Sequence, residues 1–364
     1  MKASAFLGAG WERDSLEVLW EDAERVFCRL WRDGVEGERH AFIPVVAGAE
    51  HATLESINRL THEYELKDHL DRAWALRPLE LVRERGRTML VVEYEGGEPL
   101  DRLIREPMEI GRFLQLAAAM AATLGQLHGR ALIHKDIKPA NVLVDAVTGQ
   151  VWLTGFGIAS RLPRERQSPE PPEIISGTLA YMAPEQTGRM NRSVDARSDL
   201  YALGVTLYRM VTGVLPFATA DPMELVHCHI ARQAVAPAEL TPGVPAAISA
   251  VVMKLLAKAP EDRYQTAAGV DADLRRCLTP YQLAVSIEPF ALAAHDIPDV
   301  LRIPEKLYGR EQNIQALLAA FERVATEGSS ELLLVSGYSG IGKSSVVHEL
   351  QKSLSLSNGI FAAG

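Results

Sequence analysis

Cysteine is scarce in this chain of 364 residues, and the chain has no long apolar run. The three cysteines, Cys28, Cys228 and Cys277, are odd in number and far apart, which excludes a disulfide framework. The most apolar helical stretch, residues 114–127, contains two glutamines and a glycine, and it is shorter than the roughly 20 residues that cross a bilayer. Charged residues follow the start too soon for a signal peptide. We therefore expect a cytoplasmic protein with no membrane span in this segment.

Basic charge is not in excess either. Lysine and arginine total 38 against 47 aspartates and glutamates, so the formal net charge is −9. This mild acidity argues against nucleic acid or an anionic membrane as a partner. The composition, 47% hydrophobic and 23% charged, is close to that of globular proteins. At roughly 100–200 residues per domain, the length predicts two or three folding units.

The hydrophobic pattern predicts a small β-rich part followed by a larger helical part, with a cleft between the two lobes. Alternating apolar residues indicate three antiparallel strands near residues 16–20, 26–31 and 42–46. A helix, a hairpin and a series of longer helices are predicted to follow. Their bounds are 53–70 for the first helix, 79–82 and 89–94 for the hairpin, and 110–128, 199–211, 222–232 and 245–256 for the later helices.

The last part of the chain differs in character from the helical part. Residues 279–306 contain four prolines and show no clear period, so we interpret them as a linker. A new unit is predicted from residue 307, with a helix at 311–325, a strand at 331–336, a glycine-rich turn and a helix at 344–355.

A catalytic motif follows the helix predicted at 110–128. Residues 134–141 read His-Lys-Asp-Ile-Lys-Pro-Ala-Asn. This segment resembles the catalytic loop of protein kinases, and its second lysine is typical of serine/threonine kinases. The resemblance implies that Asp136 accepts the proton of a substrate hydroxyl, that Lys138 contacts the transferred phosphate, and that Asn141 binds Mg²⁺.

Three further motifs follow in the order that protein kinases show. Residues 177–185 resemble the end of an activation segment, 199–204 resemble the start of the buried helix behind the catalytic loop, and 260–264 supply an arginine. The resemblance implies that this arginine pairs with the glutamate of the activation segment. The residues to which the resemblance gives structural roles are His134, Glu185, Asp199 and Arg263.

Three parts of the kinase nucleotide site are missing from the sequence. Gly155 stands where the resemblance places the metal-binding aspartate of Asp-Phe-Gly, and glycine offers no charged oxygen to Mg²⁺. The turn at 20–25 has three acids and no glycine, although phosphates need bare backbone N–H groups there. Counting back from Glu63 puts Val45 or Val46 at the position of the family's β3 lysine.

These losses predict weak or absent phosphoryl transfer. Losing one charge-stabilising contact typically costs ~10²–10³ in rate, and several together remove ~10⁴ or more. Two alternatives stay open. Arg29, Arg32 or Lys67 replaces the missing lysine and preserves weak activity, or the chain is an active serine/threonine kinase with Asp136 as its base.

A second motif lies at 337–344, where the sequence reads Gly-Tyr-Ser-Gly-Ile-Gly-Lys-Ser after an apolar run. It fits the P-loop consensus, in which backbone N–H groups surround phosphates at a helix N-terminus. Lys343 is expected to reach the β- and γ-phosphates and Ser344 to contact Mg²⁺, so the expected ligands are ATP and Mg²⁺. The predicted ATP-binding residues are Gly337, Gly340, Gly342, Lys343 and Ser344.

The whole chain resembles large bacterial signalling proteins. Residues 307–311 and 317–324 resemble the entry to an AAA-type (STAND) ATPase. In such proteins a serine/threonine-kinase-like domain precedes the ATPase, and a sensor histidine kinase follows. The resemblance implies signal transduction, with the kinase-like domain regulating or scaffolding the ATP-binding unit. A further alternative stays open, in which the function lies in nucleotide binding at Lys343 and the kinase fold is a binding module. The expected partners are ATP and protein domains beyond this chain, a histidine kinase among them by analogy alone.

The predicted architecture joins these pieces. We expect an α+β, bilobal protein-kinase-like fold over residues 1–278, with an N-lobe at about 10–98 and a C-lobe at about 99–278. The linker at 279–306 then leads to the start of an α/β P-loop NTPase domain at 307–364. Only 20 residues follow Ser344, so we interpret the last unit as an N-terminal fragment of that domain.

Overall fold

A computed structural model gives the structure of the protein. The residues that it describes are 17–21, 25–33, 39–47, 53–84, 87–94, 96–161, 178–190, 192–284, 287–298, 309–338, 343 and 346–347.

The N-lobe is a five-stranded antiparallel sheet in the order β1-β2-β3-β5-β4, with one helix packed against β4 and β5. Alternate side chains of each strand point to opposite faces, so the apolar ones share the buried face. The predicted meander and hairpin are confirmed. The bounds are β1 Glu17–Glu21, β2 Arg25–Asp33, β3 Arg39–Ala47, α1 Leu54–Glu65, β4 Pro78–Glu84 and β5 Arg87–Glu93.

Helix α1 is shorter than the sequence predicts. Thr53 caps it, because its hydroxyl oxygen accepts the Ser56 N–H at 3.1 Å. The prediction that it runs to residue 70 is wrong, since the helix ends at Glu65 and tight turns follow. Leu66 and Leu70 nevertheless pack into the C-lobe core. The spacing of these two apolar residues therefore reflects their burial in the C-lobe core and does not indicate a helical backbone.

The C-lobe is helical and surrounds one apolar core, in which α3 lies against α4 and α8. The predicted long helices are confirmed to within three residues at their ends. The bounds are α2 Leu100–Leu103, α3 Ile110–Gly129, α4 Ala196–Thr212, α5 Pro222–Ile230, α6 Pro237–Leu240, α7 Ala246–Leu255 and α8 Ala267–Ala284. Among the residues that the structure describes, no helix is both long and apolar enough to cross a bilayer.

A small three-stranded sheet joins the two lobes and carries the segments of the candidate site. Its strands are β6 Glu98–Pro99, β7 Val142–Val144 and β8 Val151–Leu153. Leu143 and Trp152 belong to the N-lobe cluster, whereas their strand neighbours belong to the C-lobe core. The backbone N–H of Leu76 also donates to the Leu153 carbonyl at 2.9 Å. The lobes are thus connected through packing and backbone bonds at this sheet.

Part of the segment 279–306 lies against the C-lobe. Its first residues belong to α8, which ends at Ala284. Further on, the Asp296 carboxylate accepts the backbone N–H groups of Gln265 and Thr266 at 2.6 and 2.8 Å. Phe290 packs against the C-lobe core. The described residues 287–298 therefore form an ordered extension of the C-lobe.

The last described unit contains helix α9, Glu311–Glu327, which confirms the helix predicted at 311–325. The strand predicted at 331–336 is wrong, because residues 329–338 are irregular. Leu332 and Leu334 are 95% and 90% exposed. A strand needs a neighbour for its ladder bonds, and within the described ranges no strand pairs with this segment. Most of the helix predicted at 344–355 lies outside the described residues.

Candidate active site

Asp199, at the start of the buried helix α4, holds the catalytic-loop backbone in place. Its two carboxylate oxygens accept the backbone N–H groups of His134 and Lys135 at 2.9 and 2.8 Å. Lys135 has a φ of 68°, which non-glycine residues rarely adopt. The Gln186 side-chain amide donates to the Lys135 carbonyl at 2.8 Å, on the other side of the same residue. These bonds fix the loop through its backbone.

His134 links the loop to the end of β8. It is fully buried, with Nδ1 3.3 Å from the Asp136 backbone nitrogen and Nε2 3.0 Å from the Thr154 carbonyl oxygen. Nδ1 therefore accepts and Nε2–H donates, which requires the neutral imidazole. Burial lowers the pKa of His134 and so favours that neutral form. The ring positions Asp136 and the strand end before Gly155 relative to each other.

The three residues predicted to carry chemistry lie together on the floor of the cleft. Lys138 Nζ is 2.8 Å from Asp136 Oδ2, and the Asn141 amide donates to the same oxygen at 2.9 Å. The other Asp136 oxygen accepts the Thr178 N–H at 3.2 Å. The Asp136 and Lys138 side chains keep 13% and 16% of their surface exposed. A carboxylate and an ammonium group are thus open to the cleft, side by side.

Glu185 anchors the end of the activation segment inside the C-lobe. Arg263 donates to its two carboxylate oxygens at 2.6 and 2.8 Å, and the Ser198 hydroxyl donates to Oε1 at 2.7 Å. The Arg263 and Glu185 side chains are 0% and 1% exposed. This double hydrogen bond fixes the distance between the activation segment and the start of α8.

Gly155 lies at the end of β8, under helix α1. Its N–H donates to Glu63 Oε1 at 3.2 Å, and its φ of 83° is one that glycine adopts without strain. A Cβ at this position would lie 2.7 Å from Asn141 Oδ1 and 2.8 Å from Arg25 Nη1. Neighbouring side chains therefore occupy the space that a side chain at position 155 would need.

Arg25 is a cation of the cleft that the sequence motifs do not indicate. Its Nη2 donates to Asn141 Oδ1 at 2.6 Å, and its guanidinium carbon lies 4.9 Å from the centre of the Phe27 ring. Burial raises the pKa of the Glu63 carboxyl, and the positive charge of Arg25 opposes that rise. The alternation of side chains along a strand could have indicated this position, because Arg25 and Phe27 lie on the same face of β2, the face towards the cleft.

Of the replacements proposed for the missing lysine, the two that the structure describes, Lys67 and Arg29, do not line the cavity beneath α1. Lys67 Nζ instead donates to the Tyr64 hydroxyl at 3.1 Å and lies 4.5 Å from the centre of that ring, so this interpretation is wrong. The residues that line the cavity beneath α1 include Arg25 but not Arg29. The Arg32 side chain lies outside the described residues.

Apolar side chains fill the cleft beside Arg25. The rings of Trp20 and Phe27 stack with their centres 4.8 Å apart, and they are only 6% and 0% exposed. Val45, at the position predicted for the family's lysine, is buried with them in one cluster. Leu143 of β7 belongs to the same cluster and is 0% exposed. The two lobes therefore meet through their own side chains here.

The cavity that remains between α1 and the catalytic loop is small. Its volume is about 40 Å³, whereas pockets for organic ligands measure roughly 300–1,000 Å³. It holds room for a few water molecules. Its lining includes Arg25, Glu63, Asp136, Lys138 and Gly155.

The predicted P-loop is described only in part. Lys343 Nζ donates to the carbonyl oxygens of Gly337 and Tyr338, both at 2.9 Å. The lysine thus lies against the first two residues of its own motif, and its role at a phosphate stays a prediction. The predicted residues Gly340, Gly342 and Ser344 lie outside the described residues.

Two family models match the chain. The model of the protein kinase domain matches residues 45–273, which is well over half of the chain. The model of the AAA ATPase domain matches residues 306–364.

Curated relatives match over part of their length. Hybrid signal transduction histidine kinase G of Dictyostelium discoideum is 27% identical over 333 residues, covering 67% of this chain and 10% of that protein. Serine/threonine-protein kinase PknB of Mycobacterium tuberculosis is 38% identical over 189 residues, covering 51% and 30%. Serine/threonine-protein kinase PksC of Streptomyces coelicolor is 34% identical over 201 residues, covering 54% and 36%. The chain thus spans between a tenth and about a third of these relatives.

Proposed function

The chain belongs to the protein kinase family, and from this premise we propose that its kinase-like domain is a signalling module with little or no phosphoryl transfer. The module regulates or scaffolds the P-loop unit that follows it. The relatives' names, signal transduction histidine kinase and serine/threonine-protein kinase, support a signalling role. The predicted domain limits 1–278 and 307–364 are part of this proposal, in which the segment 279–306 joins the domains and its residues 287–298 pack against the C-lobe.

The contact between Arg25 and Asn141 is the observation that carries the proposal. In the family, an aspartate and an asparagine hold the metal ions at the phosphates. Here position 155 offers no carboxylate, and Asn141 Oδ1 accepts a hydrogen bond from the Arg25 guanidinium at 2.6 Å. Mg²⁺ needs oxygen ligands in near-octahedral geometry. The residues of the kinase cleft therefore do not fit Mg²⁺, and we derive no step through it there.

The apolar contacts across the cleft support the same proposal. Phe27 of the N-lobe and Leu143 of β7 belong to one buried cluster, and a nucleotide base inserted between the lobes here would have to open its packing. The negative charge of Glu21 also opposes nucleotide binding, because Glu21 lies on the turn that would face the phosphates. Backbone N–H groups from glycine, which other kinases offer there, are not part of this turn.

We assign ATP binding to the second domain. The AAA ATPase domain implies such binding, and Lys343 is the cation that would contact the phosphates. Ser344 would hold Mg²⁺, which would neutralise phosphate charge at that site.

Phosphoryl transfer by the full chain tests this proposal. Lys343→Ala removes the P-loop contribution, and transfer of labelled γ-phosphate from Mg·ATP to a basic protein substrate is then measured. We expect the same background label in this variant and in the double variant that also carries Asp136→Asn.

An active kinase is the alternative that the floor of the cleft favours, because Asp136 and Lys138 lie 2.8 Å apart and both are partly exposed. Label that exceeds the background, and that Asp136→Asn removes, would overturn the proposal. It would establish Asp136 as the base of an active serine/threonine kinase.

A further inference from the structure

We propose that the Arg25 guanidinium is a built-in replacement for the divalent metal, a cation that ties the N-lobe to the catalytic loop without any ion or nucleotide. This inference rests on the proposed function, since it assumes that position 155 is the metal position of the family. It makes Arg25 a positioning residue, which holds Asn141 rather than contacting a substrate.

Both ends of the Asn141 side-chain amide have hydrogen-bond partners. Its Oδ1 accepts from Arg25 at 2.6 Å, and its Nδ2 donates to the backbone oxygen and to Oδ2 of Asp136 at 2.8 and 2.9 Å. A metal ion that shared Oδ1 with the guanidinium would place two cations against one oxygen, and their repulsion opposes such binding.

The charges around the cavity balance without an ion. Its described lining includes three cations, Arg25, Arg59 and Lys138, and two carboxylates, Glu63 and Asp136. Arg59 pairs with Glu55 at 2.7 Å on helix α1, and the other four charges sum to zero. A divalent cation added here would leave an excess of two positive charges in a largely buried site, which is costly unless a polyanion comes with it.

Gly155 leaves room for the Arg25 guanidinium. A Cβ at position 155 would lie 2.7 Å from Asn141 Oδ1 and 2.8 Å from Arg25 Nη1, so both side chains would have to shift. The present position of the guanidinium therefore depends on the glycine.

Cross-lobe geometry is the last step. Arg25 begins β2 in the N-lobe, whereas Asn141 precedes β7 in the small sheet that joins the lobes. In this position the guanidinium also stacks over Phe27, 4.9 Å from the ring centre. The contact therefore joins the N-lobe to the catalytic loop.

A gain of metal binding tests the proposal. The full chain carries Lys343→Ala throughout, so that the P-loop lysine is absent, and Mn²⁺ alone is the probe. The double change Arg25→Met and Gly155→Asp removes the cation and supplies a carboxylate next to Asn141. Aspartate tolerates a positive φ better than most residues. We expect this double variant to bind about one Mn²⁺ per chain through hard oxygen ligands. Binding is measured as a loss of the electron paramagnetic resonance signal of free Mn²⁺.

The matched variants isolate the cause. Gly155→Asp alone should bind no Mn²⁺, because Arg25 then neutralises the new carboxylate. Arg83→Met is the control for the loss of an arginine. Arg83 lies on β4 outside the cleft, and its Nη2 donates to the Thr61 hydroxyl of α1 at 3.2 Å. Adding Asn141→Ala to the double variant should abolish the gained site.

Two results would overturn the inference. One is a folded double variant that binds no Mn²⁺, which would leave Arg25 a merely structural residue. The other is Mn²⁺ broadening of the amide resonances of Asn141 and Gly155 in the chain that retains Arg25, a measurement that needs no cleft variant. Arg25→Lys combined with Gly155→Asp keeps the positive charge, and this variant should bind no Mn²⁺. None of these results depends on phosphoryl transfer, so failure here and failure of the proposed function are distinguishable.

Discussion

At the scale of single residues, the buried pair of Arg263 and Glu185 predicts a large loss of stability. Arg263→Met leaves the Glu185 carboxylate buried without its partner, so the free energy of unfolding should fall by about 3–5 kcal/mol. Arg275→Met is the matched control, because Arg275 pairs with Asp271 at 2.8 Å on an exposed helix face. That change should cost less than about 1 kcal/mol. Urea unfolding followed by tryptophan fluorescence measures both, and equal costs would contradict the anchoring role of Arg263.

His229 predicts a loss of stability in acid. Burial lowers its pKa to about 3. The unfolded chain then binds the additional proton below about pH 6.5, so stability falls as the pH drops from about 6.5 towards 3. Lys258, whose pKa burial lowers to about 7, is charged in both states across most of this window.

The size of this loss can be measured with one variant. Between about pH 6.5 and pH 5, His229 should remove about 2 kcal/mol from the free energy of unfolding. His229→Gln should reduce the difference between these two pH values by that amount. The same pH difference in both proteins would show that His229 is not buried in its neutral form.

The sequence predicts part of the site at this scale. The order and spacing of Asp136, Lys138 and Asn141 indicate a catalytic loop, and the structure brings them within hydrogen-bond distance. It does not predict Arg25. That side chain reaches the site only because β2 pairs with β3 so that Arg25 lies opposite Ala47, and this register is a property of the folded sheet.

At the scale of elements, the contact between α4 and α7 predicts opposite effects for two helical glycines. A Cβ at Gly204 would lie 2.7 Å from the Leu255 Cβ, whereas a Cβ at Gly125 would lie 3.9 Å from the Ala267 Cβ. Alanine gains about 1 kcal/mol of helix propensity over glycine, but overpacking costs about 1–3 kcal/mol. Gly204→Ala should therefore lower the melting temperature and Gly125→Ala should raise it. A rise in both variants would contradict the close approach of α4 to α7.

Helices and strands differ in how far the sequence determines them. The helix predicted at 110–128 is confirmed because its 3.6-residue period is a local property, which Phe113, Ala117 and Leu124 continue on the buried face. The run at 331–336 has equally clear apolar residues, yet it is not a strand. A strand depends on a neighbour that its own residues do not contain.

At the scale of the whole molecule, the kinase-like site and the P-loop differ in which of their families' nucleotide-binding residues they contain. The kinase-like domain keeps the anchoring residues Asp199, Glu185 and Arg263, with their buried hydrogen bonds. It lacks the carboxylate of the metal site, and Arg25 occupies the neighbouring oxygen. The P-loop retains its lysine and its glycines in sequence. This difference is the one that our proposal of a regulatory kinase-like module expects.

The most direct measurement is the thermal stability of the full chain carrying Lys343→Ala, with and without saturating Mg·ATP. A ligand at about 100 times its Kd stabilises a protein by about 2.7 kcal/mol, so binding in the kinase-like cleft would be visible as a higher melting temperature. We predict no change in this variant, because Arg25 donates to the metal-binding oxygen of Asn141 and position 155 offers no carboxylate. A rise in its melting temperature that grows with the Mg·ATP concentration would contradict the account.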